Sequence, residues 1–163
     1  MSIEPSIHLA AASDADTILE MMRDYYAFDG HAFDPLRARE ALLALLHEPS
    51  YGQAWLIVDD QAPVGYIVLT LGYSLEYLGR DAFIDEFYLR ESHRGKGWGK
   101  RALSFVEDQA RSLGVRSIHL EVVRENTTAK EVYRKSGYAD HDHFLMTKWI
   151  EPAFPKPRSD AHE

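Results

Sequence analysis

The sequence predicts an α/β fold: a mixed, mostly antiparallel sheet with a central parallel strand pair and helices on both faces. Three observations predict it. The elements read along the chain in the order β-α-α-β-β-β-α-β-α-β-β. One strand–helix–strand unit, 82 to 122, sits inside that order, and such a crossover joins parallel strands. The other strands follow one another through short turns, which pair antiparallel, and helices must then cover both sheet faces.

Residues 7 to 9 suit a short first strand. Ser13 reads as a helix N-cap with Asp16 three residues on. Ile18, Met21, Met22, Tyr25 and Tyr26 then recur at helical spacing, and Asp29-Gly30 breaks the helix. Asp34-Pro35 reads as N-cap and first residue of a second helix, striped by Leu36, Leu42, Leu43, Leu45 and Leu46. Residues 54 to 58 and 63 to 71 are β-rich runs around the turn Asp59-Asp60-Gln61. Residues 72 to 80 read as a loop carrying Tyr73, Glu76 and Tyr77. A third run, 82 to 89, holds two acids, Asp85 and Glu86.

Trp98, Ala102, Val106, Ala110 and Leu113 mark a further helix, stopped at Gly114. Ile118, Leu120 and Val122 alternate as a strand. Residues 126 to 135 form a short helix closed by Gly137. Residues 138 to 139 and 144 to 150 read as a closing pair of strands. The prediction is one domain over 1 to 150, with a mobile, proline-containing tail over 151 to 163.

Of 163 residues none is cysteine, which excludes disulfides, thiolate–zinc sites and a cysteine nucleophile. No apolar run reaches the ~18 residues of a membrane span, and the first residues lack a signal-peptide pattern. A cytoplasmic location without membrane contact is the expectation. The net charge of −8 argues against a nucleic-acid partner and favours a cationic one. Against that background, Arg90, Arg94, Lys96, Lys100 and Arg101 form a basic island.

The island surrounds Ser92-His93-Arg94-Gly95-Lys96-Gly97-Trp98-Gly99-Lys100-Arg101, a glycine-rich turn between a strand and a helix. Free amides at a positive helix end make an anion site, and glycine lets a phosphate approach. The turn is not a P-loop, since Arg94 and Arg101 stand where glycine and a hydroxyl are required. Nor is it a dinucleotide fingerprint, because Lys100 replaces the third glycine.

Arg94-x-x-Gly97-x-Gly99, following Phe87-Tyr88-Leu89, resembles the R/Q-x-x-G-x-G/A motif of the GNAT superfamily of acyl-CoA N-acyltransferases. A second block in register, Asn126-x-x-Ala129-x-x-x-Tyr133-x-x-x-Gly137-Tyr138, resembles that family's later helix. The resemblance extends over about 7 to 149, with 82 to 140 diagnostic, and the element order agrees with the family fold.

The resemblance implies direct transfer of an acetyl group from acetyl-CoA to an amine. Cysteine's absence fits a route without a covalent acyl-thiol. By resemblance, the amides of Arg94, Gly95, Lys96, Gly97, Trp98 and Gly99 cradle the pyrophosphate. The backbone around Phe87 and Leu89 holds the pantetheine and polarises the thioester. Asn126 matches a CoA contact, and Tyr133 matches the general acid for the leaving thiolate. Asp85 and Glu86 are the base candidates. Adjacent strand residues face opposite ways, so an ideal strand brings only one to a pocket, whereas a bulge relaxes that rule. The choice between base and substrate ligand stays open for each.

The acceptor region expected by analogy is aromatic and acidic: Tyr25, Tyr26, Asp29, Tyr73 and Tyr77 are the substrate-binding candidates. Such surroundings suit an ammonium group. The strand from Asp85 to Leu89 is also similar to that of diamine acetyltransferases, so a small polyamine-like acceptor is expected. His141-x-His143 lies among acids and reads as a solvated turn, so no metal is expected. The family often forms homodimers, and that analogy extends here. The competing functional reading is a non-catalytic acyl-CoA-binding regulatory module of the same fold.

Overall fold

The structure is a computed structural model, described over residues 4 to 151. Five strands lie in the order β1-β2-β3-β4-β5. These are β1 (Ser6–Leu9), β2 (Gly52–Asp59), β3 (Ala62–Ser74), β4 (Gly79–Leu89) and β5 (Ser117–Leu120). The first four pair antiparallel and β4 pairs parallel with β5. The helices are α1 (Ala15–Asp29), α2 (Pro35–His47), α3 (Trp98–Ser112) and α4 (Thr127–Lys135). The mixed sheet and its one parallel pair agree with the predicted architecture.

Strand alternation divides the core in two. Ala54, Leu56, Tyr66 and Val68 pack with Ile18, Met21, Met22 and Leu42 of the first two helices. Trp55, Ile67, Leu69, Ala82 and Ile84 pack with Leu103, Val106 and Ala110 of α3. Fully burying one such aliphatic chain contributes roughly 1.5–3 kcal/mol, and that is what fixes each strand's face. The β2–β3 turn is the predicted one: Asp60 and Gln61 have φ of 44° and 67°, which suits a two-residue hairpin.

Three readings are corrected. Ser13 is not the N-cap: it lies in a 3-10 turn, Ala12–Asp14, and Asp14 precedes α1 and accepts from the Ala11 amide at 2.8 Å. The predicted loop 72 to 80 is mostly ladder, because β3 and β4 stay paired out to Ser74 and Gly79. Residues 138 to 139 and 144 to 150 are not strands of this sheet. Nearly all of the 151 to 163 tail lies outside the described residues. Asp34 does cap α2, accepting from the amides of Leu36 and Arg37 ahead of Pro35.

Two departures from regularity position the site. The β4–β5 ladder stops at Ile84 and Leu120, so from Asp85 to Leu89 one side of β4 has no strand partner among the described residues. On its other side the β3 register slips: Val68 opposes Glu86, whereas the adjacent Leu69 opposes Ile84. Asp85 is therefore the extra residue of a β-bulge. The bulge turns the strand over, so that Ala82, Ile84 and Phe87 all pack on the α3 side while Tyr88 packs toward α1.

Candidate active site

The bulge brings Asp85 and Glu86 to the same cavity. It has a volume of about 260 Å³ and is lined by those two acids with Tyr25, Tyr26, Asp29 and His31. An unbulged strand would have sent one acid to the opposite face. Glu86 is buried, and both its oxygens are occupied: Tyr26 Oη donates to Oε1 at 2.5 Å, and Tyr66 Oη donates to Oε2 at 2.9 Å. Burial pushes the Glu86 carboxyl above the ordinary range, against the lowering effect of the two phenols, and Asp85 nearby adds to the rise. Partial burial also raises Asp85, whose side chain keeps access to solvent and accepts no hydrogen bond within the described residues. Tyr25 and Tyr26 are both held firmly protonated, first by burial and then by adjacent carboxylates.

Tyr133 is half-buried on α4, edge-on to Tyr138 at 5.9 Å between ring centres. Burial raises its phenol. It packs on the α3-side core and lines a cavity beside β5 with Leu120 and Glu121, and it is not among the residues lining the acid-bearing cavity. In Glu121, just past β5, burial and then Asp85 raise the carboxyl.

The glycine-rich turn follows the C-terminal end of β4, past the bulge. Gly95 and Gly97 have φ of 73° and 83°, conformations that L side chains rarely adopt. A Cβ built on either meets nothing within 4 Å, so backbone conformation rather than crowding demands glycine here. The amides from Gly95 to Lys100 have no partner among the described residues. The Arg94 amide differs, since it donates to Glu91 O at 3.1 Å.

The basic island divides by role. Arg90 pairs with Glu20 and Asp24, and Arg101 pairs with Glu4. Arg94 donates from Nε to Leu89 O at 2.8 Å and lies over the rings of Phe28 and Tyr88. Lys96 and Lys100 remain as cations without an ion pair among the described residues, at the mouth of the turn. The Trp98 indole is buried against Ile57, Val64, Leu89 and Ala102, so only its backbone faces the turn. Phe87 and Leu89 likewise turn their side chains into the core. Asn126 Oδ1 caps α4 by accepting from the Ala129 amide at 3.1 Å.

Tyr73 and Tyr77 lie apart from the acid-lined cavity, near the β3–β4 turn. Tyr73 is exposed, and Tyr77 stacks on His119 at 4.4 Å. Three residues of the site were not singled out from sequence. Tyr66 reads as an ordinary core position, and only strand pairing brings it to Glu86. His31 follows a helix break and Glu121 ends a short strand, and neither carries a local signal. No group of three metal-ligating side chains gathers among the described residues, and none of their helices is long and apolar enough to cross a membrane.

Residues 16–138 match the model of the Acetyltransferase (GNAT) family. The chain is 38% identical over 73 residues to the uncharacterized N-acetyltransferase YycN of Bacillus subtilis. That alignment takes in 45% of this chain and 47% of YycN, about half the length of each. The thialysine N-epsilon-acetyltransferase of Mus musculus is 25% identical over 149 residues, with 82% of this chain and 84% of the relative covered. Among solved structures, the integron cassette protein HFX_CASS3, from the mobile metagenome of Cole Harbour Salt Marsh, superposes with a TM-score of 0.80. It is 35% identical, covering 90% of this chain and 91% of its own.

Proposed function

Because the chain belongs to the GNAT family, we propose that it moves an acetyl group from acetyl-CoA directly to the amine of a small, cationic, polyamine-like acceptor. The observation that carries this reading is the run of unpartnered amides, Gly95 to Lys100, that follows the C-terminal end of a strand whose bulge, just before that end, carries two acids in one cavity. The amides and the Lys96 and Lys100 ammonium groups suit the pyrophosphate. The open side of β4 from Asp85 to Leu89 offers the backbone groups that an extended amide-bearing arm would pair with.

Acetyl-CoA supplies an activated acetyl thioester. The chain's residues handle the protons. An alkylammonium has a pKa of ~10 and must lose a proton before it can attack. Asp85 accepts that proton, directly or through water, because its oxygens are not already committed. Glu86 is committed to Tyr26 and Tyr66, and acts by fixing those phenols and setting the cavity's charge. As the C–N bond forms and the C–S bond breaks, Tyr133 donates its phenolic proton to the leaving thiolate, and the second proton shed by the nitrogen restores the phenol through water. Its raised pKa keeps that proton in place at neutral pH.

The cavity of about 260 Å³ admits an amine-bearing arm, and its rings and carboxylates suit a cation. The similarity to a thialysine N-epsilon-acetyltransferase points the same way. The test is release of free CoA thiol, read with a disulfide-exchange dye, across polyamines, amino acids, aminoglycosides and lysine peptides. The protein contributes no thiol background. Release with one amine class, lowered ~10²–10⁴-fold in Tyr133→Phe, is expected. Saturable acetyl-CoA binding without release across the panel would favour a binding module instead.

A further inference from the structure

The glycine-rich turn keeps its shape with little help from packing. Gly95 and Gly97 are left-handed, and a Cβ built on either meets nothing within 4 Å. The amides from Gly95 to Lys100 have no partner among the described residues. A segment with two such glycines has many other conformations open to it. Unless something outside the turn selects the binding one, an anion must order the turn as it binds, and affinity falls accordingly.

Two rings meet at the base of the turn. His93 precedes the four residues Arg94 to Gly97, and Trp98 follows them. The imidazole and indole centres lie 5.1 Å apart, with the planes at 59°, so the ends of this loop touch. The Trp98 indole is fixed in the core against Ile57, Val64, Leu89 and Ala102. Asp59, the last residue of β2, fixes the imidazole. His93 Nε2 lies 3.1 Å from Asp59 Oδ2, and since a carboxylate only accepts, the ring donates. Nδ1 meets Ser92 Oγ at 2.8 Å. The His93 and Asp59 side chains are 17% and 28% exposed, so water competes weakly for their bond. Asp59 Oδ1 is buried and makes no hydrogen bond among the described residues, which leaves His93 as the carboxylate's partner there. Asp59 is itself held by the β2–β3 hairpin, where it pairs with Ala62 across the tight turn Asp60-Gln61.

We propose that His93, held between Asp59 and Trp98, is the positioning residue that presets the anion-binding turn. Arg94 fixes the strand side of the turn through Leu89 O, and His93 fixes its hairpin side. This role rests on the reading of the turn as the acetyl-CoA pyrophosphate site. His93 lines neither the cavity that holds Asp85 nor the one that holds Tyr133. It therefore acts on acetyl-CoA affinity and not on the proton transfers.

The turn carries its own probe, because Arg94, Lys96 and Lys100 are trypsin sites within it. Limited digestion of the ligand-free chain, with fragments assigned by mass, reads whether the turn is held. His93→Phe keeps a ring beside Trp98 and removes the donor, Asp59→Ala removes the acceptor, and His93→Gln keeps a side-chain N–H for the carboxylate. Cleavage after Lys96 is expected to quicken about tenfold in His93→Phe and in Asp59→Ala, and no further in the double variant. His93→Gln should stay close to the parent, and cleavage outside the turn should not change. By titration calorimetry the acetyl-CoA dissociation constant should rise about tenfold in the same two variants and recover in His93→Gln. KM for acetyl-CoA should follow it, with kcat within about twofold of the parent. Unchanged cleavage and affinity in His93→Phe would overturn the proposal. So would faster cleavage along the whole chain in both variants, the mark of a general loss of fold, or a fall in kcat with KM unmoved. A parent chain that bound no acetyl-CoA, with the two variants still cut faster at Lys96, would uphold the clamp and overturn the assignment of its anion.

Discussion

Tyr66 and Glu86 join β3 to β4 through a buried bond, the phenol donating to Glu86 Oε2 at 2.9 Å. Val68, two residues on, is the residue that opposes Glu86, so the bond runs diagonally across the ladder. It holds the carboxylate at the bulge and lowers its pKa against the rise caused by burial. Tyr66→Phe removes both effects. The variant is expected to lose about 1–3 kcal/mol of stability, the cost of leaving a buried charged acceptor short of a partner. A variant with an unchanged denaturation midpoint would show that Glu86 does not depend on this bond.

Burial of Glu86 also gives stability a pH dependence of definite sign. Its carboxyl titrates above the ordinary 4.5 in the folded protein and near that value when unfolded. The unfolded chain therefore loses this proton first as pH rises. The contribution is fully present below the unfolded value and is lost as pH climbs through the raised folded one. Glu86→Gln cannot ionise, so it should gain on the parent protein over that window and not below it. Denaturant midpoints at about pH 4 and about pH 7 read the difference. A gap that stayed constant would place the Glu86 pKa near its ordinary value.

Asp85 has a different expected signature, since its oxygens are uncommitted. Asp85→Asn should lower kcat/KM by ~10²–10⁴-fold, as for loss of a general base, with little change in thermal stability. In the parent enzyme the acidic limb of kcat/KM should lie above 3.8, because partial burial raises this carboxyl. A retained rate in Asp85→Asn, with the loss moved to Glu86→Gln, would reverse the two roles.

The legible parts of this molecule are those written in local spacing. The turn from Gly95 to Gly99 and the stripe of α3 stand next to one another in sequence, and each needs only its own residues to form. Asp34-Pro35 capped α2 for the same reason. That Asp85 and Glu86 share one cavity, with only Glu86 held by two phenols, was not legible. It depends on a one-residue slip against β3, and the slip arises from how two strands pack, not from either strand's own pattern. Tyr66 was hidden likewise, because twenty residues separate it from Glu86. Arg94 reads as a phosphate cation in sequence, yet a carbonyl and two rings reached through folding occupy its guanidinium. Residues 144 to 150 have strand composition, yet a strand depends on pairing with another and not on its own pattern alone.

Gly97 separates strain from ligand binding. Its φ of 83° would cost an alanine roughly 1–2 kcal/mol. The strain falls on the turn that presents the free amides, so Gly97→Ala should weaken acetyl-CoA binding by about tenfold. Gly114, with φ of 73° at the far end of α3, is the matched control. Gly114→Ala should lower Tm comparably and leave acetyl-CoA affinity unchanged. Titration calorimetry distinguishes the two, and equal affinities for both variants would remove the turn from the binding site.

Arg94 ties the glycine-rich turn to the helix that borders the acid-lined cavity. Its guanidinium lies 5.1 Å from the centre of the Phe28 ring and 5.7 Å from that of Tyr88, while Nε donates to Leu89 O. Phe28 adjoins Asp29, and Asp29 lines the acid-bearing cavity. One side chain therefore braces the C-terminal end of α1, beside the acid-lined cavity, against the strand that leads into the turn. Arg94→Lys keeps the charge but loses the planar group that stacks on two rings and the fixed Nε–H. Each cation–π contact contributes about 0.5–1 kcal/mol at an exposed position, so a severalfold effect is expected. KM should rise for the amine and for acetyl-CoA together, with kcat nearly unchanged. Lys96→Ala, by contrast, should raise KM for acetyl-CoA alone and flatten its dependence on salt, because that ammonium sits at the turn with no tie to α1. If Arg94→Lys moved only the acetyl-CoA term, Arg94 would be one more phosphate cation and the two halves of the site would be held independently.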